Sequence, residues 1–208
     1  MSTPGRFITL EGIEGAGKST LARELESALR ERGLRVIVTR EPGGSPLAER
    51  LRAILLERAA EQITPVAETL LMFAARSLHI ESRIRPALEQ GNWVICDRFS
   101  DATRAYQGAG RGVDAALIES LAQAVHAHLW PQRTLLLDLP VELGLARARA
   151  RRAGGDRFED QDRRFFERAR ARYLQVAADE PQRVRVLDAR LEPAQVATQA
   201  LAAIEDLL

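Results

Sequence analysis

The sequence predicts an α/β fold built on a parallel sheet, and three observations lead there. Short apolar runs rich in β-branched residues alternate with longer helical runs, an order that calls for parallel strands joined by right-handed crossovers. The first run, residues 7–11, leads directly into Gly12-Ile13-Glu14-Gly15-Ala16-Gly17-Lys18-Ser19-Thr20, which fills the P-loop pattern G-x-x-x-x-G-K-[ST]. A helical stretch with Leu21, Leu25, Ala28 and Leu29 follows, so the motif sits in the strand–loop–helix context its chemistry needs.

In chain order, residues 7–11 form the first strand and 17–32 the P-loop helix, stopped by Gly33. Residues 34–39 read as the second strand. The loop Arg40-Glu41-Pro42-Gly43-Gly44-Ser45-Pro46 follows, marked by two prolines and two glycines. Helices are expected over 47–59 and 65–89, then a turn at Gly91-Asn92 and a third strand over 93–96. Asp97 falls at the carboxyl end of that strand, where open α/β sheets place ligands. A short helix over 101–107 is expected to end at Gly108-Ala109-Gly110-Arg111-Gly112, followed by a helix over 114–127. Residues 134–139 give a fourth strand, closed by Pro140. Residues 141–152 read as a helix, interrupted by Ala153-Gly154-Gly155-Asp156, with another helix over 161–178. A fifth strand covers 183–188. Pro193 then opens an amphipathic helix with Val196, Ala200, Ile204 and Leu207 on one side.

The chain has 208 residues, the size of one α/β domain or of one domain with a small mobile insert, and a formal net charge of +1. That balance offers no case for bulk nucleic-acid or membrane binding. Lys18 is the only lysine in a chain whose positive charge is otherwise arginine. The one cysteine, Cys96, has no intrachain partner, which fits a reducing compartment. No stretch is apolar for long enough to span a bilayer, so a cytoplasmic protein is expected.

A P-loop wraps a phosphate chain with inward-facing backbone N–H groups, and the following helix presents its positive end to the same anion. Lys18 adds a full charge toward the β- and γ-phosphates, and Ser19 offers a hydroxyl to Mg²⁺. The guanine-reading element Asn-Lys-x-Asp is absent, since the only asparagine, Asn92, precedes Trp93. A small P-loop protein with an arginine-rich interruption late in the chain suggests a nucleoside or nucleotide kinase with a closing lid. Asp97 suits a metal site or the orienting of an attacking oxygen, and Arg98 a phosphate, against the alternative of a surface ion pair. Thr103, Tyr106 and Gln107 share a helix face that suits a nucleoside, or is simply an amphipathic helix end. Phe73 and Arg76 also share a face. They read either as a base-stacking ring with a donor or as a core phenylalanine with a solvated arginine. Around Gly154-Gly155, Arg152 and Arg157 are candidates for meeting charge developed in phosphoryl transfer, while Arg147 reads better as part of a solvated face.

Taken together, the P-loop, Thr39-Arg40-Glu41-Pro42-Gly43-Gly44, Phe73-Ala74-Ala75-Arg76, Asp97-Arg98-Phe99, Ala105-Tyr106-Gln107-Gly108 and Asp156-Arg157-Phe158-Glu159 stand in the order and spacing of bacterial thymidylate kinases. The resemblance runs from about residue 6 to the C-terminus. It implies a P-loop nucleoside monophosphate kinase-like fold with a five-stranded parallel sheet flanked by helices, a lid over about 147–160, and a homodimer. The implied reaction carries the γ-phosphoryl group of ATP to dTMP, with Mg²⁺, giving dTDP and ADP. Carried over, residues 12–20 bind ATP, Glu14 senses the 3′-hydroxyl, Phe73 stacks on thymine, and Arg76 and Gln107 bond its polar edge. Tyr106 crowds the 2′ position, with Thr103 beside it on the same helix face. Arg98 holds the dTMP phosphate, Glu41 lies near it, and Ser19 and Asp97 serve the metal. The P-loop holds no basic residue between Gly12 and Gly17, so transition-state charge is expected to be met by lid arginines, Arg152 first, then Arg149 and Arg157. Ala102 and Ser45 depart from the serine and threonine common in the family.

Overall fold

A computed structural model describes residues 5–57, 62–151 and 161–208. Five strands, β1 (Arg6–Glu11), β2 (Val36–Arg40), β3 (Trp93–Asp97), β4 (Arg133–Asp138) and β5 (Val184–Asp188), form one sheet in the order β2-β3-β1-β4-β5. Every pairing is parallel. Helices cover both faces, which is why the strands read as continuous apolar runs rather than alternating ones. On one face Ile8, Leu10, Ile95 and Leu135 pack with Leu21, Leu25 and Leu29 of α1 (Lys18–Glu31) and with Val196 and Ala200 of α9 (Pro193–Ala203). On the other, Phe7, Val94 and Cys96 pack with Phe99, Ile80 and Ile84.

The remaining helices are α2 (Pro46–Leu56), α3 (Pro65–His79), α4 (Arg85–Glu89), α5 (Ser100–Thr103), α6 (Ala115–His126), α7 (Val141–Arg151) and α8 (Arg163–Asp179). Ser45 and Thr64 cap α2 and α3 with their hydroxyls, and a proline follows each cap. The single helix expected over 65–89 is divided by a π-helical stretch, Ile80–Ile84, between α3 and α4. Pro86 withdraws a backbone donor there, and a wider turn accommodates the loss.

The run Gly108-Ala109-Gly110 does not end its helix as expected. The chain continues from α5 through a π-helix, Arg104–Gly110. The small residues serve packing instead, since a Cβ on Gly110 would lie 2.5 Å from the Phe165 ring of α8. Register brings the active loops together. Leu10 and Arg40 both pair with Asp97, so the loops after β1, β2 and β3 leave the sheet side by side.

Candidate active site

β1 ends at Glu11 and the chain turns at once into the P-loop. Gly12, Gly15 and Gly17 adopt φ of 137°, 75° and 97°, values that side chains disfavour. A Cβ on Gly12 would meet the Leu137 carbonyl of β4 at 2.5 Å. Gly17 caps α1 without a side chain, leaving the positive helix end to an anion. Lys18 is nearly buried, and its Nζ donates to the Gly12 and Ile13 carbonyls at 3.0 Å each. Burial first, then the Arg98 charge, lowers its pKa to about 8. Ser19 Oγ donates to Asp97 Oδ2 at 3.3 Å. Asp97 Oδ1 is buried and has no hydrogen-bond partner among the described residues. A hydroxyl and a carboxylate beside a phosphate-binding loop are hard oxygen donors that fit Mg²⁺.

Arg98 is the hub between the loops. Its Nη2 donates to Glu14 Oε1 at 2.8 Å, its Nη1 to the Gly12 carbonyl at 3.1 Å, and its guanidinium lies 4.6 Å over the Tyr106 ring. Tyr106 Oη donates to Glu14 Oε2 at 2.8 Å. The three residues close a triangle at the floor of a cleft of about 590 Å³.

The far wall is polar and buried. Glu41 accepts from Arg76 Nε at 2.7 Å and pairs with His79 Nδ1 at 3.0 Å, while His79 Nε2 meets Thr39 Oγ1 at 2.7 Å. Burial pushes the Glu41 carboxyl up, but Arg76 and His79 hold it below the usual carboxylate range. Arg76 Nη2 donates to the Phe99 carbonyl and to Thr103 Oγ1, each at 3.1 Å. Its Nη1 is buried without a partner among the described residues. Gln107 Nε2 donates to Glu68 Oε1 at 2.8 Å.

The structure therefore gathers Glu14, Lys18, Ser19, Glu41, Arg76, Asp97, Arg98, Thr103, Tyr106 and Gln107 around one cleft. Phe73 is placed elsewhere, which corrects the expectation of a stacking ring. It is 2% exposed and packs with Val113, Ile118 and Ala122 against α6, its ring stacked on His126 at 6.4 Å. Met72 faces the cleft in its place. The signal was present, because Glu68, Met72 and Arg76 recur every fourth residue and so share one face of α3. Ala102 also lines the cleft. Arg152, Arg157 and most of the expected lid lie outside the described residues.

Arg147 is exposed, as expected, but its side chain is also tied down. Its Nη1 donates to the Ala189 carbonyl at 2.8 Å and it borders a second pocket, of about 390 Å³, between the P-loop and the loop after β5. Ala189 and Pro193 form the opposite side.

A parallel sheet of order β2-β3-β1-β4-β5, a P-loop and a cleft lined by Arg98 are the features of a P-loop nucleoside monophosphate kinase fold. The thymidylate kinase family model matches residues 10–200. The thymidylate kinase of Ectopseudomonas mendocina is 54% identical over 204 residues, 98% of this chain and 97% of that protein. That of Alcanivorax borkumensis is 54% identical over 200 residues, 96% of this chain and 95% of that protein. The crystal structure of thymidylate kinase from Ehrlichia chaffeensis superposes with a TM-score of 0.80 at 31% identity, covering 97% of this chain and 99% of that one. The chain belongs to the thymidylate kinase family, whose reaction is the phosphorylation of dTMP to dTDP by ATP in dTTP synthesis.

Proposed function

We propose that ATP lies on the P-loop with its adenine in the pocket beside Arg147, and that dTMP fills the larger cleft. Arg98 stands between them. The observation that carries this assignment is the meeting of Lys18, Asp97, Arg98 and the Arg76–Gln107 wall in one cleft. The dTMP phosphate oxygen attacks the γ-phosphorus while the bond to the β–γ bridging oxygen breaks, leaving ADP. The attacking oxygen belongs to an ionised phosphate and needs no general base, so catalysis is placement of charge.

In this reading Lys18 leaves the Gly12 and Ile13 carbonyls for the β- and γ-phosphates, and the P-loop backbone from Gly12 to Thr20 holds the chain. Ser19 and Asp97 would hold Mg²⁺, which when bound would neutralise phosphate charge. Arg98 takes the dTMP phosphate. Arg76 Nη1 donates to a thymine carbonyl, with Gln107 and Thr103 beside it. Met72 replaces Phe73 as the apolar platform under the base. Glu14 receives the 3′-hydroxyl, Tyr106 excludes a 2′-hydroxyl, and Glu41 holds Arg76 in position. The charge developed in transfer is assigned to Arg152 and Arg157, in the lid segment at about 147–160 of this single domain.

The same reading places the enzyme in the cytoplasm as a homodimer. No described helix is long and apolar enough to cross a membrane. Leu47 and Ile54 on α2, with Val66 and Leu70 on α3, are each about half exposed and offer an apolar face to a second copy. An ADP-release assay with Mg-ATP and dTMP, dUMP, AMP, CMP, GMP or thymidine offered separately tests the acceptor assignment. Strong preference for dTMP is expected. Preference for another acceptor would discard the roles given to Met72, Arg76 and Gln107.

A further inference from the structure

Arg98 has φ of 71° and is the only non-glycine residue with positive φ among the described residues. A long side chain rarely takes that conformation, and it persists only where the surroundings impose it. The last residue of β1 lies against this turn. Glu11 is 0% exposed. Its Oε1 accepts the N–H of Phe99, the residue after Arg98, at 2.7 Å. The Arg98 N–H itself is taken by the Leu10 carbonyl at 2.9 Å. Glu11 Oε2 accepts from Tyr173 Oη on α8, also at 2.7 Å. Tyr173 Oη in turn accepts from Arg98 Nη1 at 3.3 Å.

One carboxyl thus grips Arg98 at both ends, through the backbone that follows it and through the hydroxyl against its guanidinium. We infer that Glu11 is a positioning residue for Arg98, fixing the turn that aims the guanidinium at the acceptor phosphate. Burying a carboxyl in a strand with no bonded cation among the described residues is costly, and an apolar residue would suit the sheet better. The cost is offset if the carboxyl sets a functional geometry. Glu11 also begins the turn into the P-loop, so the donor loop and the acceptor-phosphate arginine share one anchor. The inference rests on the reading of Arg98 as the dTMP phosphate ligand.

The test compares binding of dTMP and of thymidine to the full chain by calorimetry. Thymidine has the base and sugar but no phosphate, so it makes no phosphate contact with Arg98, and the ratio of the two affinities isolates that contact. Glu11→Met and Tyr173→Phe are each expected to cut the dTMP-to-thymidine affinity ratio by about fivefold or more, the factor carried by one hydrogen bond. Thymidine affinity is expected to stay within about twofold of wild type. Glu11→Gln keeps a carbonyl oxygen for the Phe99 N–H and is expected to retain most of the ratio. A wild-type ratio in both Glu11→Met and Tyr173→Phe overturns the inference, as does an equal loss for dTMP and thymidine. If Glu11→Met does not fold, Tyr173→Phe decides alone. Arg98→Ala separates the two levels. A preserved ratio in that variant removes the phosphate assignment itself. A ratio lost there but preserved in the Glu11 and Tyr173 variants removes only the positioning role.

Discussion

Arg76 of α3 and Glu41 of the loop after β2 are joined Nε to Oε2 at 2.7 Å, with side chains 3% and 4% exposed. The pair fixes a guanidinium whose remaining nitrogen, Nη1, is buried and unpartnered among the described residues. Truncating one member of a buried ion pair strands the other charge. Glu41→Ala is therefore expected to lose about 3–5 kcal/mol in urea denaturation and to raise the KM for dTMP more than that for ATP. A variant as stable as wild type would contradict the mutual dependence of the two buried charges.

Neighbouring positions on α3 are expected to answer differently. Met72 borders the cleft and Phe73 lies in the core against α6. Met72→Ala is expected to weaken dTMP severalfold with little change in melting. Phe73→Ala is expected to cost about 3–5 kcal/mol, the usual loss for a core phenylalanine. Steady-state kinetics and chemical denaturation of both variants check this, and the opposite pattern would return Phe73 to the binding site.

Gly144 lies inside α7 and touches the P-loop. A Cβ there would meet the Glu14 carbonyl at 2.6 Å, and one on Gly15 would meet the Gly144 carbonyl at 2.0 Å. In an open helix Gly→Ala stabilises by about 1 kcal/mol. Here Gly144→Ala is expected to destabilise by about 1–3 kcal/mol and to raise the KM for ATP, because the P-loop must shift. A rise in melting temperature with unchanged ATP kinetics would show that the contact gives way easily.

Burial, then the nearby Asp101 charge, raises the Glu11 carboxyl from 4.5 to about 8. The folded chain keeps a proton that the unfolded chain releases through this window. The contribution to stability is full below pH 4.5 and is lost as pH rises through about 8. Denaturation at about pH 6 and about pH 8 is expected to show a larger loss in wild type than in Glu11→Gln, which cannot titrate. Equal slopes would place the titration elsewhere.

Much of this was legible in residue order. The P-loop glycines, Lys18 and Ser19 act through backbone geometry and charge at fixed spacing, so a local pattern reports them. Asp97 and Arg98 were legible because a strand end places its next residues at the ligand edge of the sheet. Phe73 was misplaced because residues 72 and 73 differ by about 100° around the helix, and the i, i+3 pairing of Phe73 with Arg76 was preferred over the i, i+4 spacing that sets Met72 beside Arg76. Glu11 was hidden for a similar reason. It reads as the end of a strand, and its partners Phe99 and Tyr173 lie 88 and 162 residues away.

The sequence by itself determined the strand–helix alternation, the phosphate-binding loop, the family and the reaction, because each depends on short-range spacing and on residue types kept in order. Only the tertiary structure decided that Met72 rather than Phe73 lines the cleft, that Arg147 borders a second pocket, and that the buried Glu11 accepts the N–H of the residue after Arg98, whose φ is 71°. Those outcomes depend on which distant elements pack against each face. Long-range packing chooses among side-chain directions that local propensity leaves nearly equal in energy.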